Sequence, residues 1–214
     1  MLDKYYENAI GDAKESLLND GVIIIPTDTV YGLACLSSSK EAIERIYSMK
    51  KRDKSKPLPI IVNSYKMLSE VCDVNLDNVK RLSKYFPGAV TIVCKRKESF
   101  DYFDEPTIAV RMIETPLVNK IIESVNEPLS LTSANISTKG NIVDPMELVD
   151  IFDGYIDCVF LDGKCKNVES TIIKINDDNS ITLLREGKIR FENILREYNN
   201  DWAWACQICS GFIK

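Results

Sequence analysis

The chain has 214 residues, 45% of them hydrophobic and 28% charged, with a formal net charge of −5. That is room for one sizeable α/β domain, or two small ones at most, and the acidic balance argues against a general nucleic-acid binder, which needs a broad basic face. The complete absence of histidine removes Ser–His–Asp, Cys–His and His–metal chemistry together. Any catalysis must run on cations, hydroxyls, carboxylates, backbone amides or a metal held by oxygen. No apolar run approaches the length of a membrane span, and no secretory signal opens the chain. Seven scattered cysteines, odd in number, fit reduced thiols in a cytoplasmic protein better than a disulfide framework. Cys206 and Cys209 form the one close pair, and zinc there would lack two further ligands.

Residues 3–19 read as an amphipathic helix ending near Gly21. The apolar run Val22-Ile23-Ile24-Ile25 then predicts a buried strand over 22–26. Ser38 and Glu41 have capping-box spacing, and Ala42, Ile43, Ile46 and Tyr47 supply one apolar face, so 39–50 is a helix. A strand over 58–62 follows, then helices over 64–71 and 76–85, and the turn signal Phe86-Pro87-Gly88. Strands are expected at 89–94 and 107–111. Thr115-Pro116 reads as an N-cap with proline at the first helical position, starting a helix to 125. A strand over 128–131 runs into Thr132-Ser133-Ala134-Asn135. Asp144-Pro145 starts a helix to 152. Strands at 156–161, 170–175 and 180–184 complete the sheet, and a last helix covers 191–198. Helices alternate with strands early and a hairpin comes late, which predicts an α/β fold with a mixed parallel and antiparallel sheet flanked by helices. Residues 1–200 are expected to form a single domain, with 201–214 an apolar tail that carries both tryptophans.

Polar residues recur where the strands end. Pro26-Thr27-Asp28-Thr29-Val30-Tyr31-Gly32-Leu33 follows the first strand, and strand ends of an open α/β sheet are where ligands bind. Five basic residues fall within positions 50–56 (Lys50, Lys51, Arg52, Lys54, Lys56). Arg111 ends one strand, Ser133 and Asn135 follow another, Ser170 and Thr171 open a third, and Arg185 closes the last. Each alone is an ordinary cap or surface charge. Together they predict a site for an anionic small molecule. Neither a Walker A pattern nor G-x-G-x-x-G occurs, so side chains rather than a glycine-rich loop must hold any phosphates.

These stretches, taken in order, resemble the YrdC/TsaC family of threonylcarbamoyl-AMP synthases. The matching pieces are PTDTVYGL (26–33), IYSMKKR with KPL (46–58), FPGAVT (86–91), IAVR (108–111), TSAN (132–135), ESTII (169–173) and LLREG (183–187). The resemblance implies a twisted α/β sheet with a concave basic face. It also implies a reaction that joins L-threonine, bicarbonate or CO₂, and ATP into threonylcarbamoyl-AMP with release of pyrophosphate. A separate threonylcarbamoyl transferase then uses the product, so tRNA is met only indirectly and no membrane is involved. By the same resemblance Lys50, Arg52 and Lys56 are the catalytic cations. Thr29, Tyr31, Arg111, Thr132 and Ser170 hold threonine. Ser133, Asn135 and Arg185 join Lys50, Arg52 and Lys56 around the nucleotide. Mg²⁺ arrives with ATP, and no zinc, haem or flavin is expected. Many members carry a histidine shortly past the basic loop, where this chain has Ile61. Two other readings compete: a non-catalytic RNA-binding module, which the acidic balance disfavours, and a paralogue with another carbamoyl or adenylate substrate.

Overall fold

A computed structural model describes residues 2–135, 145–161 and 168–199. The expected tail, the glycine after the TSAN motif, Asp144, Cys165, Cys206 and Cys209 lie outside the described residues. Helix α1 (Leu2–Leu18) leads into β1 (Ile23–Ile25) and β2 (Gly32–Leu36), which pair antiparallel with Ile24 opposite Leu33. Then come α2 (Lys40–Lys50), β3 (Ile60–Val62), α3 (Tyr65–Val71), β4 (Cys72–Asp73), α4 (Leu76–Lys80), β5 (Val90–Arg96) and β6 (Thr107–Met112). The chain continues through α5 (Pro116–Val125), β7 (Leu129–Ser133), α6 (Pro145–Phe152), β8 (Cys158–Val159), β9 (Thr171–Ile175) and β10 (Ile181–Arg185), with a helix, α7, over 191–199.

One sheet runs in the order β10-β9-β5-β6-β3-β7-β2-β1-β8, with β4 added beside β5. The β1/β8, β3/β6 and β5/β9 pairs are parallel and the remainder antiparallel, the mixed sheet that the element order predicts. Both of its faces are covered. Ile23, Ile25, Ala34 and Leu36 pack with Leu17 of α1 and with Val118, Ile121 and Ile122 of α5. Ile24, Leu33 and Cys35 face the other way, onto Ala42, Ile43, Ile46 and Tyr47 of α2 and Leu148 and Phe152 of α6. A strand buried on both sides reads as an unbroken apolar run, which is why β1 carries no alternation.

Several local expectations change. Ser39, not Ser38, is the N-cap of α2, its hydroxyl accepting from the Ala42 N–H, while the Ser38 N–H reaches a Glu127 carboxylate oxygen. Thr115 caps α5 by position, without a side-chain hydrogen bond. The helix expected over 76–85 stops at Lys80 and continues as turns to the cis Phe86–Pro87 peptide. The strand expected over 156–161 shrinks to two residues, and β2 and β4 are additions to the sequence reading. Cys35, Cys72, Cys94 and Cys158 are free. Burial pushes the Cys35 thiol up to about 12, so it is an inert core group rather than a nucleophile. No helix among the described residues is long and apolar enough to cross a membrane.

Candidate active site

The stretch between β1 and β2 is shaped by one hydroxyl. Thr27 accepts from the backbone N–H groups of Thr29 and Val30 (both 3.2 Å) and donates its single proton to the Val30 carbonyl. The Thr29 hydroxyl, 3.0 Å from Thr27 Oγ1, must therefore be the donor of that pair. Its own lone pairs remain for the guanidinium of Arg111, whose Nη1 lies 3.0 Å away.

Arg111 comes from β6 and is 6% exposed. Its Nη2 pairs with Asp28 Oδ1 at 2.6 Å, and its Nε donates to the Gly88 carbonyl at 2.9 Å. Gly88 has φ +140°, and a Cβ there would stand 2.9 Å from the Tyr85 carbonyl oxygen; only glycine turns the chain so that its carbonyl meets the arginine. Burial lowers the guanidinium's pKa and the Asp28 charge opposes that, while an arginine stays cationic throughout. Among the described residues three of its five N–H groups are engaged, which leaves two for a ligand.

Helix α2 ends at Lys50, and Lys51 in the left-handed conformation (φ 51°) turns the chain into the basic loop. Lys50 is 1% exposed. Its ammonium donates to the Ser133 carbonyl, to the Asn135 carbonyl at 2.7 Å and to Asn135 Oδ1 at 2.8 Å. All three of its protons are thus spent on the turn after β7, where Ser133 Oγ also donates to Asn135 Oδ1 at 2.7 Å. Arg52 folds back on its own loop, with Nε on the Lys56 carbonyl (3.0 Å) and Nη2 on the Pro57 carbonyl (3.3 Å). The Lys56 side chain is exposed.

The fourth wall comes from β5, β9 and β10. The parallel register of β5 and β9 sets Thr91 beside Ile172 and brings its hydroxyl within 2.8 Å of Ser170 Oγ. Arg185 Nη2 donates to the Ser170 carbonyl at 3.0 Å, and its Nη1 pairs with Glu169 Oε2 at 2.5 Å. Gly187 allows the following chain to lie against this segment, because a Cβ there would be 2.4 Å from the Glu169 carbonyl oxygen. Lys188 then reaches back to the Asp28 carbonyl at 2.9 Å.

These walls line a half-open cavity of about 190 Å³, bounded by Thr27, Thr29, Arg52, Thr91, Arg111, Thr132, Ser133, Glu169, Ser170 and Arg185, with Val30, Pro59, Ile61, Leu131 and Ile172 as its apolar side. It is smaller than the ~300–1,000 Å³ typical of pockets for drug-sized ligands, a volume suited to one small amino acid. Seven residues singled out in the sequence meet here: Thr29, Arg52, Arg111, Thr132, Ser133, Ser170 and Arg185. Lys50 and Asn135 sit behind the wall. Tyr31 is 1% exposed and packs in the core with Ile24 and Leu33, while its backbone carbonyl accepts from Ala134 N–H. Sequence reasoning left Thr91 and Glu169 out of the site. Both lie inside matched motifs, and a hydroxyl in the otherwise apolar Val90–Cys94 run was the available signal for Thr91. Glu169 gave none, because its importance depends on pairing with Arg185. Ile61 sits in the apolar wall.

The strand ends of this α/β sheet converge on a buried arginine, paired hydroxyls and further cations, an arrangement chemically suited to a small zwitterion or anion. The chain belongs to the Sua5/YciO/YrdC family: that family's sequence profile, described as telomere recombination, matches residues 15–187. A relative from Methanocaldococcus jannaschii, provisionally named a threonylcarbamoyl-AMP synthase, is 34% identical over 185 residues, covering 86% of this chain and 87% of the relative. The threonylcarbamoyl-AMP synthase of Pyrococcus abyssi is 32% identical over 178 residues, covering 81% of this chain but 52% of its own length. The crystal structure of P. abyssi Sua5 complexed with L-threonine superposes with a TM-score of 0.80 at 28% identity, over 89% of this chain and 57% of that one. The chain therefore spans about half the length of the longer relatives.

Proposed function

We propose that this chain is a threonylcarbamoyl-AMP synthase, and that the cavity between these walls is its threonine pocket. The observation that carries the reading is the buried Arg111, with two guanidinium N–H groups left over, in an amino-acid-sized cavity that opens beside Arg52. In a family with a member solved with L-threonine, Arg111 takes the carboxylate, with Thr29, Thr132 and Ser170 around it. The apolar wall of Ile61, Leu131 and Ile172 faces the methyl group. Tyr31 contributes through its carbonyl, which fixes the Ala134 turn.

ATP is too large for this cavity and lies across its rim. There Arg52, Lys56 and Arg185 hold phosphates together with Asn135 and with Ser133, whose hydroxyl proton turns from Asn135 Oδ1 to the phosphate, and Lys50 braces the latter two from behind. The carboxylated amine of threonine must attack the α-phosphorus, which brings two anions together, and the rim cations offset that repulsion and the charge on the departing pyrophosphate. Mg²⁺ enters with the nucleotide as part of the substrate, bicarbonate or CO₂ supplies the carbamate carbon, and a cytoplasmic transferase consumes the adenylate on its way to tRNA. Catalysis is then largely positioning and electrostatics, work that needs no histidine. We read residues 1–200 as the single unit that does this work.

The test is pyrophosphate release from ATP and Mg²⁺ with each co-substrate omitted in turn. Release is expected only with threonine and bicarbonate together. Equal turnover with serine or glycine would remove the assignment to threonine, and release without any amino acid would remove the synthase.

A further inference from the structure

Threonine is a zwitterion, and the cavity described above supplies an obvious partner for only one end of it. The described residues that line the cavity include three arginines and a single carboxylate, Glu169. Asp28, the other acid nearby, is committed to Arg111 and does not line the cavity. Glu169 meets Arg185 through Oε2 alone, and among the described residues Oε1 has no ion pair or hydrogen bond. A carboxylate has room for about four hydrogen bonds on its two oxygens. Of the charged groups that line the cavity, Glu169 alone attracts an ammonium, because at contact distance opposite charges attract and like charges repel by kcal/mol-scale amounts even near a protein surface.

We propose that Glu169 is the ammonium-binding residue of the amino-acid pocket, its Oε1 receiving the α-amino group while Arg111 receives the carboxylate. The inference rests on the reading of this cavity as a threonine pocket. Two opposite charges set on different walls, β6 and the entry to β9, fix both ends of the ligand and leave the side chain one direction in which to point. The arrangement also ties the two halves of the site together. The carboxylate that holds the amine through Oε1 holds Arg185 through Oε2, so seating the amino acid presets an arginine on the nucleotide side. The pocket should therefore reject a ligand with the same carboxylate, hydroxyl and methyl group but no amine.

The experiment is calorimetric binding of threonine and of 3-hydroxybutanoate, its deaminated counterpart, to wild type, Glu169→Gln and Arg185→Gln. Glu169 is partly exposed (37%), so the glutamine variant should fold, which its melting curve checks. Wild type is expected to prefer threonine by on the order of tenfold or more, the usual worth of a hydrogen bond to a charged group. Glu169→Gln should lose most of that preference by weakening threonine alone. Arg185→Gln breaks the same ion pair but keeps the carboxylate, so it should retain the preference. If Glu169→Gln keeps the preference, or both variants lose it equally, Glu169 merely positions Arg185 and the proposal is overturned. If wild type binds neither compound, the reading of the cavity as an amino-acid pocket fails, and this inference with it.

Discussion

Lys50 shows two physical demands meeting at one atom. Its three acceptors, two carbonyls and an amide oxygen around Ser133 and Asn135, require an ammonium, since a neutral amine has only two N–H groups to give. Burial, helped by the charge of Arg52 and opposed by that of Glu169, drives its pKa down from 10.5 to about 7. The hydrogen bonds decide the geometry and the burial decides the pH response. Below pH 7 the lysine is charged in both folded and unfolded chains, and the full cost of burying the charge is present. Between 7 and 10.5 the unfolded chain holds a proton that the native one has released, so stability rises with pH across that window. Urea denaturation of wild type and Lys50→Met at pH 7 and pH 9 should show wild type gaining on the variant by on the order of 1 kcal/mol as pH rises. Parallel pH dependence of the two proteins would mean that Lys50 keeps an ordinary pKa. The same titration removes one of three donors from the Ser133–Asn135 turn, so the bracing of that turn loosens while the fold strengthens.

At the scale of elements, the walls of the cavity depend on close backbone approaches. Gly187 is the clearest, lying where a Cβ would overlap the carbonyl oxygens of Glu169 (2.4 Å) and Ser170 (2.6 Å). Thr171 Oγ1 holds the same corner, accepting from the N–H groups of Gly187 and Ile189 at 3.0 and 3.2 Å. Gly187→Ala should therefore push the chain after β10 off the start of β9. It should cost about 1–3 kcal/mol, the usual range for overpacking, and weaken threonine binding with it. Unchanged melting and binding would show that this corner yields freely. Helices were the legible elements, since apolar spacing at Ala42, Ile43, Ile46 and Tyr47 sets α2 and Pro116 sets the start of α5. Most strands were legible too: β1, β3, β5, β6, β7, β9 and β10 all overlap the runs that the sequence marks. The strand β2 was lost because its five residues are all buried and follow directly on a polar turn that reads as ligand loop. β4 and β8 are two residues each, too short for any periodicity, and exist because neighbours supply the pairing.

For the whole molecule, the sequence revealed which residues gather at the strand ends, because hydroxyls and arginines there stand out from apolar strands. It did not reveal how their charges pair. Counting cations suggested a strongly positive pocket, yet Arg111 is matched by Asp28 and Arg185 by Glu169, pairings set by contacts far apart in the chain. Two of the three lining arginines are therefore paired, and among the described residues Arg52 and the exposed Lys56 of the basic loop form no ion pair, in a protein of net charge −5. Salt should separate the two substrates. Raising ionic strength from about 50 mM to about 300 mM shortens the reach of exposed charges to well under ~10 Å, which weakens attraction of a polyanion to the rim. A zwitterion held by internally paired groups gains little from long-range attraction and loses little to screening. The dissociation constant of ATP is expected to rise several-fold over that range, by roughly 1 kcal/mol, while that of threonine stays nearly constant. Arg52→Ala combined with Lys56→Ala should flatten the ATP response. Equal salt slopes for the two ligands would place the free positive charge inside the cavity rather than on its rim, and would mean that the Arg111–Asp28 and Arg185–Glu169 pairs open when substrate arrives.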